Sequence, residues 1–253
     1  MVYHIKPGQV SYGEAIGIIL LENFAPYIPG DTANATTYSY PVRFQRVPGF
    51  SVERIMNHDM SLVDDLVQAA VTLQSEGVRA ITGDCGFMAL YQDRIAAAVQ
   101  VPVFMSSLMQ LPFIRLIAGG QAGGPTGGQA GGKIGVITAN SRSLTLPVLE
   151  KAGVEYPEEL VIEGLEETEH FARAVFDETG SLDSDIVQAE VLQAVKKVMK
   201  REPGVRAILL ECSLLPPYGA AVREATGLPV FDYITMIDYV YSSVVKRKFE
   251  GYM

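Results

Sequence analysis

Two apolar periodicities alternate along the chain. Short runs rich in β-branched residues read as buried strands: Ala15 to Leu21 (AIGIILL), Val78 to Ile81, Ile134 to Thr138 and Val205 to Leu210. Between them, apolar residues recur every three or four positions. Leu62, Leu66, Val67, Ala70, Val71 and Leu73 predict one amphipathic helix, and Ile186, Val187, Val191, Leu192, Val195, Val198 and Met199 predict another. Ser61 stands where an N-cap would, with Asp64 and Asp65 in the first turn, where carboxylates suit the helix dipole. Gly77 and the pair Pro203-Gly204 are the stops. Strand, helix and strand at these lengths imply right-handed crossovers and an α/β architecture with parallel sheets.

The alternation occurs twice. Gly77 to Met109 aligns without a gap on Gly204 to Met236, sharing Gly-Val-Arg-Ala-Ile at the start, a cysteine (Cys85 and Cys212), a tyrosine (Tyr91 and Tyr218) and Pro-Val-Phe near the end. Ile16-Gly-Ile-Ile is echoed by Ile134-Gly-Val-Ile. The chain is thus expected to form two pseudo-symmetric halves. Both cysteines fall just past the carboxyl end of a predicted strand, the edge at which parallel α/β sheets bind ligands.

Composition narrows the partners. The 253 residues are 48% apolar, enough for a substantial core, and 20 Lys and Arg against 29 Asp and Glu give a net charge of −9. That balance opposes a phosphate-neutralising surface, so no nucleic acid is expected as a partner. Two cysteines make no disulfide framework, and both are read as thiols. No apolar run is long enough to span a bilayer and the first residues do not resemble a leader, so the expected location is cytoplasmic, with no membrane partner. The Gly-rich stretch Ala118 to Lys133 superficially matches a P-loop, but Ile134 stands where the Ser or Thr is needed and a strand follows; it reads as a surface loop.

The thiols carry the chemistry. Two halves related by a pseudo-twofold axis would bring Cys85 and Cys212 to opposite sides of a shared cleft, where one thiolate could remove a proton from carbon and the other thiol deliver one to the opposite face. Such a site needs no cofactor and no metal, and His4, His58 and His170 are scattered, with no metal-ligand spacing. The residues after each cysteine lead toward predicted helices, whose free N–H groups would suit a small anionic carboxylate substrate. Asp84 and Glu211, each preceding a cysteine, point to the opposite strand face and are assigned a supporting role.

These segments, with PGDTANATTYSYPV, ITGDCGF, VPVFMSSLMQLP, IGVITANSRSL and LLECSLLPPYGAAVREATGLPVFD, resemble the aspartate/glutamate racemase superfamily over most of the chain. The resemblance implies two pseudo-symmetric parallel-sheet α/β domains, residues 1–112 plus 225–253 and residues 113–224, with the active site in the cleft between them. It implies Cys85 and Cys212 as catalytic residues, and Asn34, Gly86, Phe87, Ser106, Ser107, Asn140, Ser213 and Leu214 as substrate-binding residues. The activity it implies is that of an isomerase, a cofactor-independent two-cysteine racemase or epimerase of a small amino acid or related carboxylate, which could form a homo-oligomer. The alternatives are a cysteine-dependent isomerase or decarboxylase of the maleate isomerase or arylmalonate decarboxylase type, or a non-catalytic carboxylate-binding protein. Leu21-Glu22-Asn23, Cys85-Gly86-Phe87 and Cys212-Ser213-Leu214 depart from the motifs of glutamate racemases, which counts against glutamate itself.

Overall fold

The computed structural model describes residues 2–118 and 132–253, so most of the Gly-rich stretch and the loop expected there lie outside the described residues. Among the described residues there are seven strands, of which the four expected runs supply β1, β3, β4 and β6: β1 (Ile16–Leu20), β2 (Val42–Arg46), β3 (Ala80–Gly83), β4 (Lys133–Thr138), β5 (Leu160–Gly164), β6 (Val205–Leu210) and β7 (Val230–Phe231). All pair in parallel, in a three-stranded sheet of order β2-β1-β3 and a four-stranded sheet of order β5-β4-β6-β7.

The internal repeat holds to the level of register. Ile208 in β6 pairs with Val230, and its equivalent Ile81 in β3 makes an isolated parallel bridge to Val103, the equivalent of Val230. Ile81 and Ile208 donate their N–H groups to Pro102 and Pro229 respectively, each at 2.9 Å. A proline can receive such a bond while offering none, so it suits the edge of each sheet.

Three apolar clusters bind the layers. One face of the first sheet, with Ile19 and Ile81, packs under the helix Val63–Ser75 through Leu66, Ala70 and Leu73; the same cluster takes in Ile134, Val136, Ala207 and Leu209 of the second sheet. The two halves therefore share a core. The opposite face of the first sheet, with Ile16, Ile18 and Ala80, is covered by Tyr233, Met236 and Ile237 of the last helix, Tyr233–Val244. The far face of the second sheet, with Ile137, Ile208 and Leu210, is covered by Val187, Val191, Val195 and Val198 of the helix Ser184–Arg201. Within the segment expected to join the first unit, β7 hydrogen-bonds to the second sheet and the helix that follows it packs on the first.

Some local expectations are corrected. Leu62, not Ser61, is the N-cap of Val63–Ser75 and makes no side-chain cap; Ser61 accepts a bond from Arg54 at the surface instead. Its N–H is taken by Asp59 Oδ1 at 2.8 Å, which turns the chain one residue later than the sequence suggests. Cys85 and Cys212 are followed first by 3-10 turns, Gly86–Tyr91 and, after a bend, Pro216–Tyr218; α-helix begins only at Gln92 and Gly219. Among the described residues no helix is long and apolar enough to cross a membrane.

The contrast between the two long helices is testable. Asp183 caps Ser184–Arg201 by accepting the N–H groups of Asp185 and Ile186, so Asp183→Ala should cost about 1 kcal/mol. A chain of this size should then melt roughly 2–4 °C lower. Ser61→Ala, which removes no cap, should leave the thermal midpoint within about 1 °C; a drop as large as that of Asp183→Ala would show that Ser61 holds its helix after all.

Candidate active site

The carboxyl ends of β1, β3, β4 and β6 meet around one cavity. Leu21 follows β1, Asp84 to Phe87 follow β3, Ala139 follows β4 and Glu211 to Leu214 follow β6; Asn23, Tyr27, Val52, Met56 and Val175 complete the lining. Cys85 and Cys212 are both free and both buried, and both face this space. It measures only about 20 Å³, room for about one water. A segment from the first half closes it: Asn23 Nδ2 donates to the carbonyl of Val175 at 3.1 Å, and Thr32 donates from its N–H (3.1 Å) and its hydroxyl (3.2 Å) to the carbonyl of Ser213.

Each thiol sits in the same local frame. The N–H of Phe87 bonds the Cys85 sulfur and the N–H of Leu214, its repeat equivalent, bonds the Cys212 sulfur. These bonds favour thiolate, yet burial outweighs them and pushes both thiols up; the Glu211 carboxyl is the strongest charge acting on each and pushes the same way. No Lys, Arg or His lines the cavity among the described residues. Unliganded, the site holds two protonated thiols.

The carboxyls preceding the thiols are also equivalent. Asp84 accepts the N–H of Leu21 through both oxygens, at 3.0 and 3.2 Å. Glu211 accepts the N–H of Ala139 and, through Oε2, the hydroxyl of Thr138 at 2.8 Å. Burial raises both carboxyls to about 7 despite these bonds. Glu211 is one methylene longer, and its Oε1 rests against Gly86, where a Cβ would come within 1.7 Å of it. A side chain at residue 86 would therefore force the Glu211 carboxyl out of this position. Gly86 in turn lets the carboxyl of one half lie beside the cysteine of the other.

Of the residues expected at the site, Cys85, Gly86, Phe87, Cys212, Ser213 and Leu214 line the cavity. Four others do local work outside the lining. Asn34 caps the 3-10 turn Ala35–Thr37 and donates to the carbonyl of Tyr27 at 2.9 Å. Ser106 caps the turn Ser107–Gln110, and Ser107 donates to the carbonyl of Glu211 at 2.7 Å. Asn140 accepts the N–H groups of Arg142 and Ser143. Asn23, Tyr27, Val52, Met56 and Val175 carry no motif that would have marked them. Asp84 and Glu211 did carry one, their repeat equivalence.

Known proteins agree on the fold and sharpen the chemistry. No known protein-family profile matches the sequence. The structure resembles arylmalonate decarboxylase (TM-score 0.57, 17% identity, 93% of this chain and 94% of the other). It also resembles allantoin racemase from Klebsiella pneumoniae (TM-score 0.58, 16% identity, 93% and 96%). The fold is thus that of the aspartate/glutamate racemase-like superfamily. A dimethylsulfoniopropionate lyase from Durusdinium sp. clade D is 33% identical over 232 residues, 89% of this chain and 73% of its own length. The chain belongs to the dimethylsulfoniopropionate lyase family. Dimethylsulfoniopropionate lyase 3 of Emiliania huxleyi (strain CCMP1516) is 34% identical over 245 residues, of which the match spans 91% of this chain and 60% of the relative. The isomerase expected from the racemase motifs is overturned by these relatives, which are named as lyases. Two matched thiols do not by themselves select the reaction.

Buried carboxyls tie stability to pH. Asp31, in the closing segment, is raised by burial to about 8, with Oδ2 accepting the N–H of Ile28 at 2.6 Å and Oδ1 buried without a partner. A carboxyl raised in the folded state binds its proton more tightly there than in the unfolded chain. Its contribution is full below the unfolded value near 4 and is lost as pH rises through the folded value. The thermal midpoint should therefore fall between pH 5 and 8.5, and Asp31→Asn should flatten that fall. An Asp31→Asn variant with the native slope would show that this carboxyl is not the titrating group.

Proposed function

We propose that the protein is a cysteine-dependent lyase that cleaves a β-sulfonium carboxylate of the dimethylsulfoniopropionate type by elimination. The carrying observation is a buried cavity with two thiols and two carboxyls but no cationic side chain, in a chain whose relatives are named for that substrate. One thiolate removes a proton from the carbon next to the substrate carboxylate. The electron pair of that C–H bond becomes the carbon–carbon double bond, and the bond from the adjacent carbon to sulfur breaks with its pair leaving on sulfur. Dimethyl sulfide, acrylate and the proton, now on the thiol, are the products; the thiol is then back in its resting protonated form and gives that proton up to solvent when the next sulfonium binds.

The environment of the thiols supports a cationic substrate. Burial and the Glu211 carboxyl hold both thiols protonated, and a positive charge entering the cavity favours thiolate over thiol. The base is then generated when the sulfonium arrives. A dicarboxylate with no cationic group would have the reverse effect, adding negative charge to a site lined, among the described residues, by no cationic side chain.

Elimination needs one base where inversion at carbon needs two. Dimethyl sulfide released from dimethylsulfoniopropionate, followed by headspace gas chromatography, should fall at least about 10³-fold in one of the variants Cys85→Ser and Cys212→Ser, and stay within about tenfold of native in the other. Losses of equal, large size in both would count against a single thiol base. No release by the native protein would end the lyase reading.

A further inference from the structure

Glu211 is the least satisfied charged group in the cavity. It is 1% exposed, and its Oε1 has no hydrogen-bond partner, whereas both oxygens of the equivalent Asp84 are held by Leu21. Oε2 is anchored on Thr138, itself fully buried, so the free oxygen is fixed in direction, against Gly86 and beside the thiol-bearing turn. A buried carboxylate oxygen with no donor costs stability unless something satisfies it. Leu21, Ala139, Val175 and Leu214 of the lining are apolar, and Asn23 and Tyr27 spend their donors on Val175 and on Asn23 respectively, not on Glu211.

We infer that Glu211 Oε1 is the fixed counter-charge for the cationic group of the substrate, and that it selects onium carboxylates over uncharged molecules of the same shape. A sulfonium or quaternary ammonium centre has no N–H to donate. Its recognition requires an acceptor with no competing donor nearby and apolar walls for the methyl groups, which Phe87, Met56 and Val175 supply. Asp84 and Glu211 differ by one methylene, and only the longer side chain has an oxygen to spare. The inference takes the substrate class from the lyase reading, but its test uses binding alone.

The probes are 3-(trimethylammonio)propionate and its uncharged carbon isostere 4,4-dimethylpentanoate, which share shape and carboxylate and are poor candidates for elimination. By calorimetric titration the native protein should bind the ammonium compound at least about tenfold more tightly than the isostere, and Glu211→Gln, which keeps the length and the bond to Thr138, should bring the ratio to within about twofold. An unchanged ratio in Glu211→Gln overturns the inference. So does equal affinity of the native protein for both compounds. A variant that loses dimethyl sulfide release while keeping the native ratio also overturns it, because Glu211 would then act on the thiol proton instead.

If Glu211→Gln does not fold, the ratio measured at pH 8.5 and 5.5 in Asp84→Asn, which removes the other cavity carboxyl that titrates in this window, decides. The groups facing Glu211 are Cys85, Cys212, Asp84 and Tyr233; burial holds the thiols and the tyrosine protonated in the unliganded protein, and raises both carboxyls into this range. The preference should fall at least about fivefold at the lower pH, and one that persists overturns the inference. The two readings fail separately. Onium preference through Glu211 without cleavage leaves the counter-charge standing and removes the lyase, and cleavage with a preference indifferent to Glu211 does the opposite.

Discussion

Each half of this protein depends on one buried contact, a carboxyl at the end of a thiol-bearing strand that holds the N–H just past the end of its neighbour. Asp84 bonds Leu21 across β3 and β1, and Glu211 bonds Ala139 across β6 and β4. The groups so joined sit where each sheet stops and its ladder of hydrogen bonds has run out, so the carboxyl satisfies a donor that would otherwise be buried alone. Asp84 and Glu211 are expected on the strand face opposite the cysteines, but all four side chains line the same cavity, because the alternation of an extended backbone does not continue past the strand ends. Architecture and reactivity are set by the same pair of residues.

The cost of that arrangement is electrostatic. Two carboxyls and two thiols share a water-poor space: burial raises all four, the carboxyls raise the thiols further, and none is charged cheaply. A cationic substrate changes the balance for all four groups at once, whereas an anionic one would meet only repulsion. This is why the apolar, acidic lining says more about the substrate than the scaffold does. The scaffold is common to decarboxylases and racemases that act on very different molecules.

Much of the architecture was legible in the sequence because it rests on periodicity. The run Val205 to Leu210 is strand β6 residue for residue, and the equivalence of Cys85 and Cys212 survives as equivalent pairing of Ile81 with Val103 and of Ile208 with Val230. What periodicity cannot encode is the partner of a polar side chain. Asn34, Ser106 and Asn140 sit in motif-rich loops, and all three spend their side-chain oxygens on nearby backbone N–H groups, a competition that sequence position does not resolve. Asn23 and Val175 reach the cavity from segments distant in the chain and joined by a single side-chain bond, so no local pattern announces them. The reaction type was misread for a different reason. A matched thiol pair is compatible with more than one reaction, and what overturned the isomerase is the likeness to relatives named as lyases, which no motif around the cysteines announced.

The small departure from symmetry is the informative one. A site with a true twofold relation would treat the two faces of a substrate carbon alike, which suits inversion. Here the halves match in strand order, in the cysteine and in the N–H group bonded to its sulfur, but one carries aspartate where the other carries glutamate. The added methylene moves a carboxyl oxygen out of the contact that its counterpart completes, and Gly86 gives it room. Each half carries a carboxyl, but only that of Glu211 keeps an unpartnered oxygen, so the acceptor is concentrated at one end of a cavity whose thiols remain paired. A substrate with a positive leaving group and a negative carboxylate has two unlike ends, and a polarised cavity fixes which end faces which half. Under the proposed elimination, fixing that orientation leaves one thiol beside the proton next to the carboxylate, so two equivalent thiols would serve as a single base.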